Sequence, residues 1–104
     1  MKLEDWHRWW RRTGARELRQ ILMDEWDPIH VRGIPEAADE YDGYLGLLAA
    51  RLREGASADV IADYLTDVEE DRMGLGKSAA ARERNPVLAT RLLAWYAEST
   101  AEVE

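Results

Sequence analysis

Between Asp24 and Tyr44 the chain gathers seven carboxylates, Asp24, Glu25, Asp27, Glu36, Asp39, Glu40 and Asp42, together with Tyr41 and Tyr44. Oxygen donors of this kind suit a hard cation, and on a helix Glu36, Asp39 and Glu40 would share one face at spacings of three and four. The set matches no EF-hand register. Acids in the first turn of a helix also favour the positive end of its dipole, an ordinary role that covers Glu36 and Asp39. Carboxylate pairs can do acid and base work only with perturbed pKa values, which spacing alone does not supply. Two expectations follow: a carboxylate metal-binding protein or metal-dependent hydrolase, or an acidic surface edged with tyrosines that meets another protein. The second is favoured, because no other catalytic pattern accompanies the acids.

Gly74 to Ser78, GLGKS, ends as a phosphate-binding loop does. The full pattern needs glycine where Asp71 stands and a strand before the loop, whereas a helix is expected there, so the segment reads as a helix end and a linker. His7 and His30 have no serine or carboxylate at a spacing diagnostic of a triad or a zinc site. Cysteine is absent, which excludes disulfides, thiolate nucleophiles and zinc fingers and suits a reducing cytoplasm. No cofactor is expected.

The stretch WHRWWRR, Trp6 to Arg12, has the tryptophan and arginine mixture of interfacial peptides. Trp6, Trp9 and Trp10 fall on one side at i, i+3 and i+4, so the expectation is that they pack on the body while the arginines stack or pair with acids. Membrane contact is the weaker reading. Trp9 and Arg12 are also of the types enriched at binding hot spots. No apolar run approaches about 18 residues and the first residues lack the apolar stretch of a signal peptide, so a soluble, unexported protein is expected.

The formal charge of −7 disfavours nucleic acid as a partner, since phosphate contacts need a basic surface. The charge is unevenly spread. Residues 1 to 19 carry Lys2, Arg8, Arg11, Arg12, Arg16 and Arg19 against Glu4, Asp5 and Glu17, a net of +3, which leaves −10 for the rest. A basic arm on an acidic body invites docking, within the molecule, onto another protein or between copies.

The elements that must position these residues are helical, since alternating β-branched runs are missing. The expectation is an all-α, compact bundle of four to five short helices in a single domain, 1–104, with a basic arm at 1–13, a core at 15–97 and a frayed tail at 98–104. A first helix is expected over Leu3 to Arg12, and Thr13 is expected to cap a second from Ala15 to Trp26, where Pro28 stops it. A third starts near Pro35 or Glu36 and carries Tyr41, Tyr44, Leu45, Leu48 and Leu52, closed by Gly55. Ser57 caps a fourth with Ile61, Tyr64, Leu65 and Val68, closed by Met73-Gly74. Asn85-Pro86 reads as the start of a last helix with Val87, Leu88, Leu92, Trp95 and Tyr96. The large rings, five Trp and four Tyr with no Phe, want polar partners at their tips.

Leu18 to Val31, LRQILMDEWDPIHV, then PEAADEYDGYLGLLAARLREGAS from Pro35 to Ser57 and a helix closing in RMGL resemble a family of small bacterial proteins, the YugE-like domains of unknown function. In that pattern a helix ends in W-D-P-I-G-V and D-E-Y-D-x-Y opens the next; His30 stands where the pattern has glycine. The resemblance implies an all-helical fold and no particular activity. From the residues themselves, Trp26 and Ile29 are expected to pack back as a plug, Asp27 to satisfy backbone N–H groups past the helix end, and Pro28 and Pro35 to stiffen the crossing. The expected partner-binding set is Asp27, Glu36, Asp39, Glu40, Asp42 and Tyr44, with Trp9 and Arg12 from the arm.

Overall fold

The computed structural model describes residues 1–101 and Val103. Among them there is no strand, and the helices pack as four rods around one buried cluster.

The first rod is α1 (Leu3–Trp9), a π-helical turn (Trp10–Gly14), α2 (Ala15–Ile21) and a second π-helical turn (Leu22–Trp26), one after another without a break. The expected stop at Thr13-Gly14 does not occur. Gly14 has φ −60° and ψ −49°, and the Ala15 N–H reaches back five residues to the Trp10 carbonyl. Glycine is there for room: a Cβ would lie 2.7 Å from Cη2 of Trp9 and 2.8 Å from Cε3 of Trp10. Trp9 and Leu18 are nine residues apart, two and a half α-helical turns, and would face opposite ways in a regular helix. The wider turn between them helps bring both to the buried side.

Beyond Trp26 the helix expected from Pro35 is replaced by a 3₁₀ turn, Pro35–Ala37, and further i to i+3 bonds from Glu40 N–H to Ala37 and from Asp42 N–H to Asp39. α3 (Asp42–Arg53) begins only after Tyr41 has turned inward. Its end follows the local signals. Gly55 has φ 80°, the Ala56 N–H bonds the Arg51 carbonyl at 3.0 Å, and Ser57 Oγ accepts from the Val60 N–H to start α4 (Ala58–Asp67). A third π-helical turn, Val68–Arg72, ends α4, and Gly74 (φ 67°) closes it.

α5 (Ala79–Ala101) packs along α4 and starts well before Asn85-Pro86. Ser78 Oγ, not Asn85, accepts from a first-turn N–H, that of Ala81 at 3.2 Å. Pro86 therefore lies inside the helix, where its missing N–H leaves the Arg82 carbonyl without the usual donor. Asn85 is fully buried because it is a tertiary clamp, donating to Thr66 Oγ1 at 3.0 Å and to Glu69 at 2.7 Å. The tail expected to fray from Glu98 is helical through Ala101, with Thr100 Oγ1 bonded to the Tyr96 carbonyl; Glu102 and Glu104 lie outside the described residues.

Four of the five indoles find polar partners far along the chain: Trp6 on Tyr96 Oη (2.8 Å), Trp9 on Ser99 Oγ (2.9 Å), Trp95 on Glu17 (2.9 Å) and Trp26 on Glu69 (3.0 Å). Glu69 is 4% exposed and also accepts from Arg84 and Asn85. Removing one partner of a buried ionic cluster costs about 3 kcal/mol or more because the others stay buried unpaired. Glu69→Ala is expected to lower the thermal midpoint by more than about 10 °C for a domain of this size, read by circular dichroism. Gly14→Ala would ordinarily stabilise a helix by about 1 kcal/mol. Here it is expected to destabilise by about 1 to 3 kcal/mol in urea titrations, because the new methyl overpacks Trp9 and Trp10.

Candidate partner-binding site

The link between the first rod and α3 is built around one carboxylate. Asp27 leaves the helix with φ 35°, and its two oxygens accept from the Val31 N–H at 2.8 Å and the Arg32 N–H at 3.1 Å. Oδ1 also accepts from the Tyr41 hydroxyl at 2.7 Å, and that hydroxyl accepts from the Ile29 N–H at 3.3 Å. Both ends of the link are thus tied to one point. His30 takes φ 57°, so the left-handed turn at this point forms with histidine. Histidine tolerates that region better than branched residues do.

These bonds set the electrostatics. Burial pushes the Asp27 carboxyl up, but the Tyr41 hydroxyl, the two backbone N–H groups and the nearby His30 together hold it below the ordinary 3.8. Burial first, and then its bond to Asp27, push the Tyr41 phenol well above the ordinary 10.0. Asp27 is therefore a structural acid. Asp42 is also engaged, in a two-pronged pair with Arg19 (Nε to Oδ1, 2.8 Å), and that bond with the pair's attraction holds Arg19 above its ordinary value.

The remaining expected residues divide. Glu36, Asp39 and Glu40 are exposed and make no salt bridge among the described residues. They lie on the 3₁₀ turn and the turns after it, so the shared helical face expected for them does not form. Tyr44 is half-buried, edge-on to Trp26 with centroids 6.1 Å apart. Trp26 is buried as expected, but Ile29 is 37% exposed and plugs nothing. Trp9 is 5% exposed and held among Trp6, Trp10, Trp95 and Tyr96, so it is spent inside the protein. Arg12 is on the surface. Among the described residues no three His, Asp or Glu side chains are grouped to hold a metal ion, and no helix is long and apolar enough to cross a membrane.

Sequence reasoning missed the apolar side of this region. A groove of about 270 Å³ runs between Arg19, Gln20 and Met23 on the first rod and Val31, Gly33, Ile34, Pro35 and Ala38 on the link. Ile34 is 47% exposed at its edge. An isoleucine between Gly33 and Pro35, held out of a helix by the proline that follows it, was the available signal.

The lock has a testable pH signature. Tyr41→Phe removes the donor to Asp27 and leaves the Ile29 N–H unpaired, at a cost of about 1 to 3 kcal/mol. The Tyr41 contribution is fully present below pH 10.0 and is lost as pH rises through the higher native value; that of Asp27 is present above pH 3.8 and is lost as pH falls through its lowered native value. The stability gap between wild type and Tyr41→Phe is therefore expected to be flat from about pH 5 to 9 and to narrow above about pH 10 in urea titrations. A gap that stays constant to pH 11 would contradict the lock.

No family model, curated protein or solved structure matches the chain.

Proposed function

We propose that the chain is a small acidic protein-binding module, an accessory or immunity-type factor whose link covers a basic surface on another protein. The observation that carries this is a division of labour. Glu36, Asp39 and Glu40 stand exposed and outside every salt bridge among the described residues, on a segment whose backbone is fixed by Asp27 and Tyr41 and which borders an apolar groove. A surface held in shape before binding loses little conformational entropy on binding, and exposed charge of one sign speeds encounter with the opposite sign. The groove gives the neutral burial that charge alone lacks. The likeness of Trp26 to Ile29 and of Asp39 to Tyr44 to the YugE-like domains adds an expectation of bacterial origin and no activity. A cytoplasmic location fits the chain without cysteine.

The expected result is that tagged wild-type protein retains a basic partner in stoichiometric amount from lysate of the cells that make it. Glu36→Lys/Asp39→Lys/Glu40→Lys should lose that partner at least tenfold by quantitative mass spectrometry. Asp59→Lys/Asp63→Lys, on the exposed side of α4, should keep it. Equal recovery by all three proteins would sink the assignment of the link.

A further inference from the structure

The outward side of the first rod carries a second charged feature. Arg8, Arg12, Arg16 and Arg19 succeed one another at spacings of four, four and three, so they form a stripe along one face, and all are exposed. Arg8 is paired with Asp5 and Arg19 with Asp42, while Arg12 and Arg16 make no ion pair among the described residues. The acidic link lies across the C-terminal end of this same face. Arg19 grips Asp42 and feels the charge of Asp39, and Arg19, Gln20 and Met23 form the wall of the groove that faces Ile34 to Ala38. One continuous face is therefore basic before Arg19 and acidic beyond it.

We propose that this face docks on a second copy of itself, with the two first rods antiparallel, so that Arg12 and Arg16 of each copy meet Glu36 and Asp39 of the other. A face with opposite charges on either side of a two-fold axis is self-complementary and closes as a pair. A parallel arrangement would set stripe against stripe and acid against acid. Two copies of charge −7 repel at a distance, but at about 0.15 M salt that repulsion is screened within about 8 Å, while groups in contact still attract. Exposed pairs are individually weak, so half-association is expected on the order of 100 μM. The pair does not require the foreign partner proposed above; a basic partner would have to displace the stripe of the second copy from the link.

Sedimentation velocity on the purified full chain tests this independently of any capture experiment, so either proposal can fail alone. From about 10 to 500 μM at about 0.15 M salt, wild type should rise toward twice the chain mass of 12.0 kDa, and should associate at least tenfold more weakly at about 1 M salt. Arg12→Glu/Arg16→Glu and Glu36→Lys/Asp39→Lys should each stay monomeric, and these side chains take no part in the salt bridges among the described residues. Mixed in equal amounts, the two variants should form a heterodimer, because each restores the charge pairing the other lost. Wild type that stays monomeric at 500 μM, growth beyond two copies, a variant that still self-associates, or a mixture that does not pair would each overturn the proposal.

Discussion

The carboxylate of Glu69 is the constraint on which the other elements depend. It sits in the interior and accepts from the Trp26 indole at the end of the first rod and from Arg84 and Asn85 on α5. A buried acidic side chain is tolerated only when its oxygens are met by well-placed donors, so these bonds fix how the three elements meet. Trp26 is the residue immediately before Asp27, so holding Trp26 fixes where the chain leaves the helix. Asp27 then takes its left-handed turn and captures Val31, Arg32 and Tyr41. The shape of the acidic link is thus inherited from a polar contact in the core.

The same cluster accounts for an awkward piece of backbone. Proline disfavours helical geometry in the residue before it, and Pro86 deprives Arg82 of a helical donor. Asn85 nevertheless stays helical, because its side chain is held by Thr66 and Glu69 and its neighbour Arg84 is held by Glu69 as well. Tertiary bonds outweigh a local preference. At Gly14 the outcome has the same direction but a different cause: the helix runs on through glycine because the surrounding indoles leave no space for a side chain.

These two places mark the limit of what the sequence made legible. The turn from Gly55 to Ser57 and the buried stripe Leu45, Leu48 and Leu52 could be read directly, because a left-handed glycine, an N-capping serine and a 3.6-residue period act over a few residues. Asn85-Pro86 and Thr13-Gly14 carry the same local signatures of helix ends, yet partners 16 residues or more away, or a crowd of rings, overrule them. At the site, the bonds from Asp27 to nearby N–H groups were legible because aspartate bonds its own following backbone. The Arg19 to Asp42 pair spans 23 residues and depends on how the link folds across the first rod, which no spacing encodes.

The acids of this protein consequently form two populations. Glu17, Asp27, Asp42 and Glu69 each hold an indole, a phenol, a guanidinium or backbone N–H groups, and the fold depends on their number and position. A core rich in tryptophan and tyrosine favours such partners, since most buried rings of these types bring a donor that gains from being satisfied. Glu36, Asp39 and Glu40 make no salt bridge among the described residues, and solvated acids would serve solubility equally well anywhere on the surface. Their concentration on the one connecting segment whose backbone is clamped at both ends is therefore not a requirement of folding. It is what the proposed docking on an opposite charge in a fixed geometry would use.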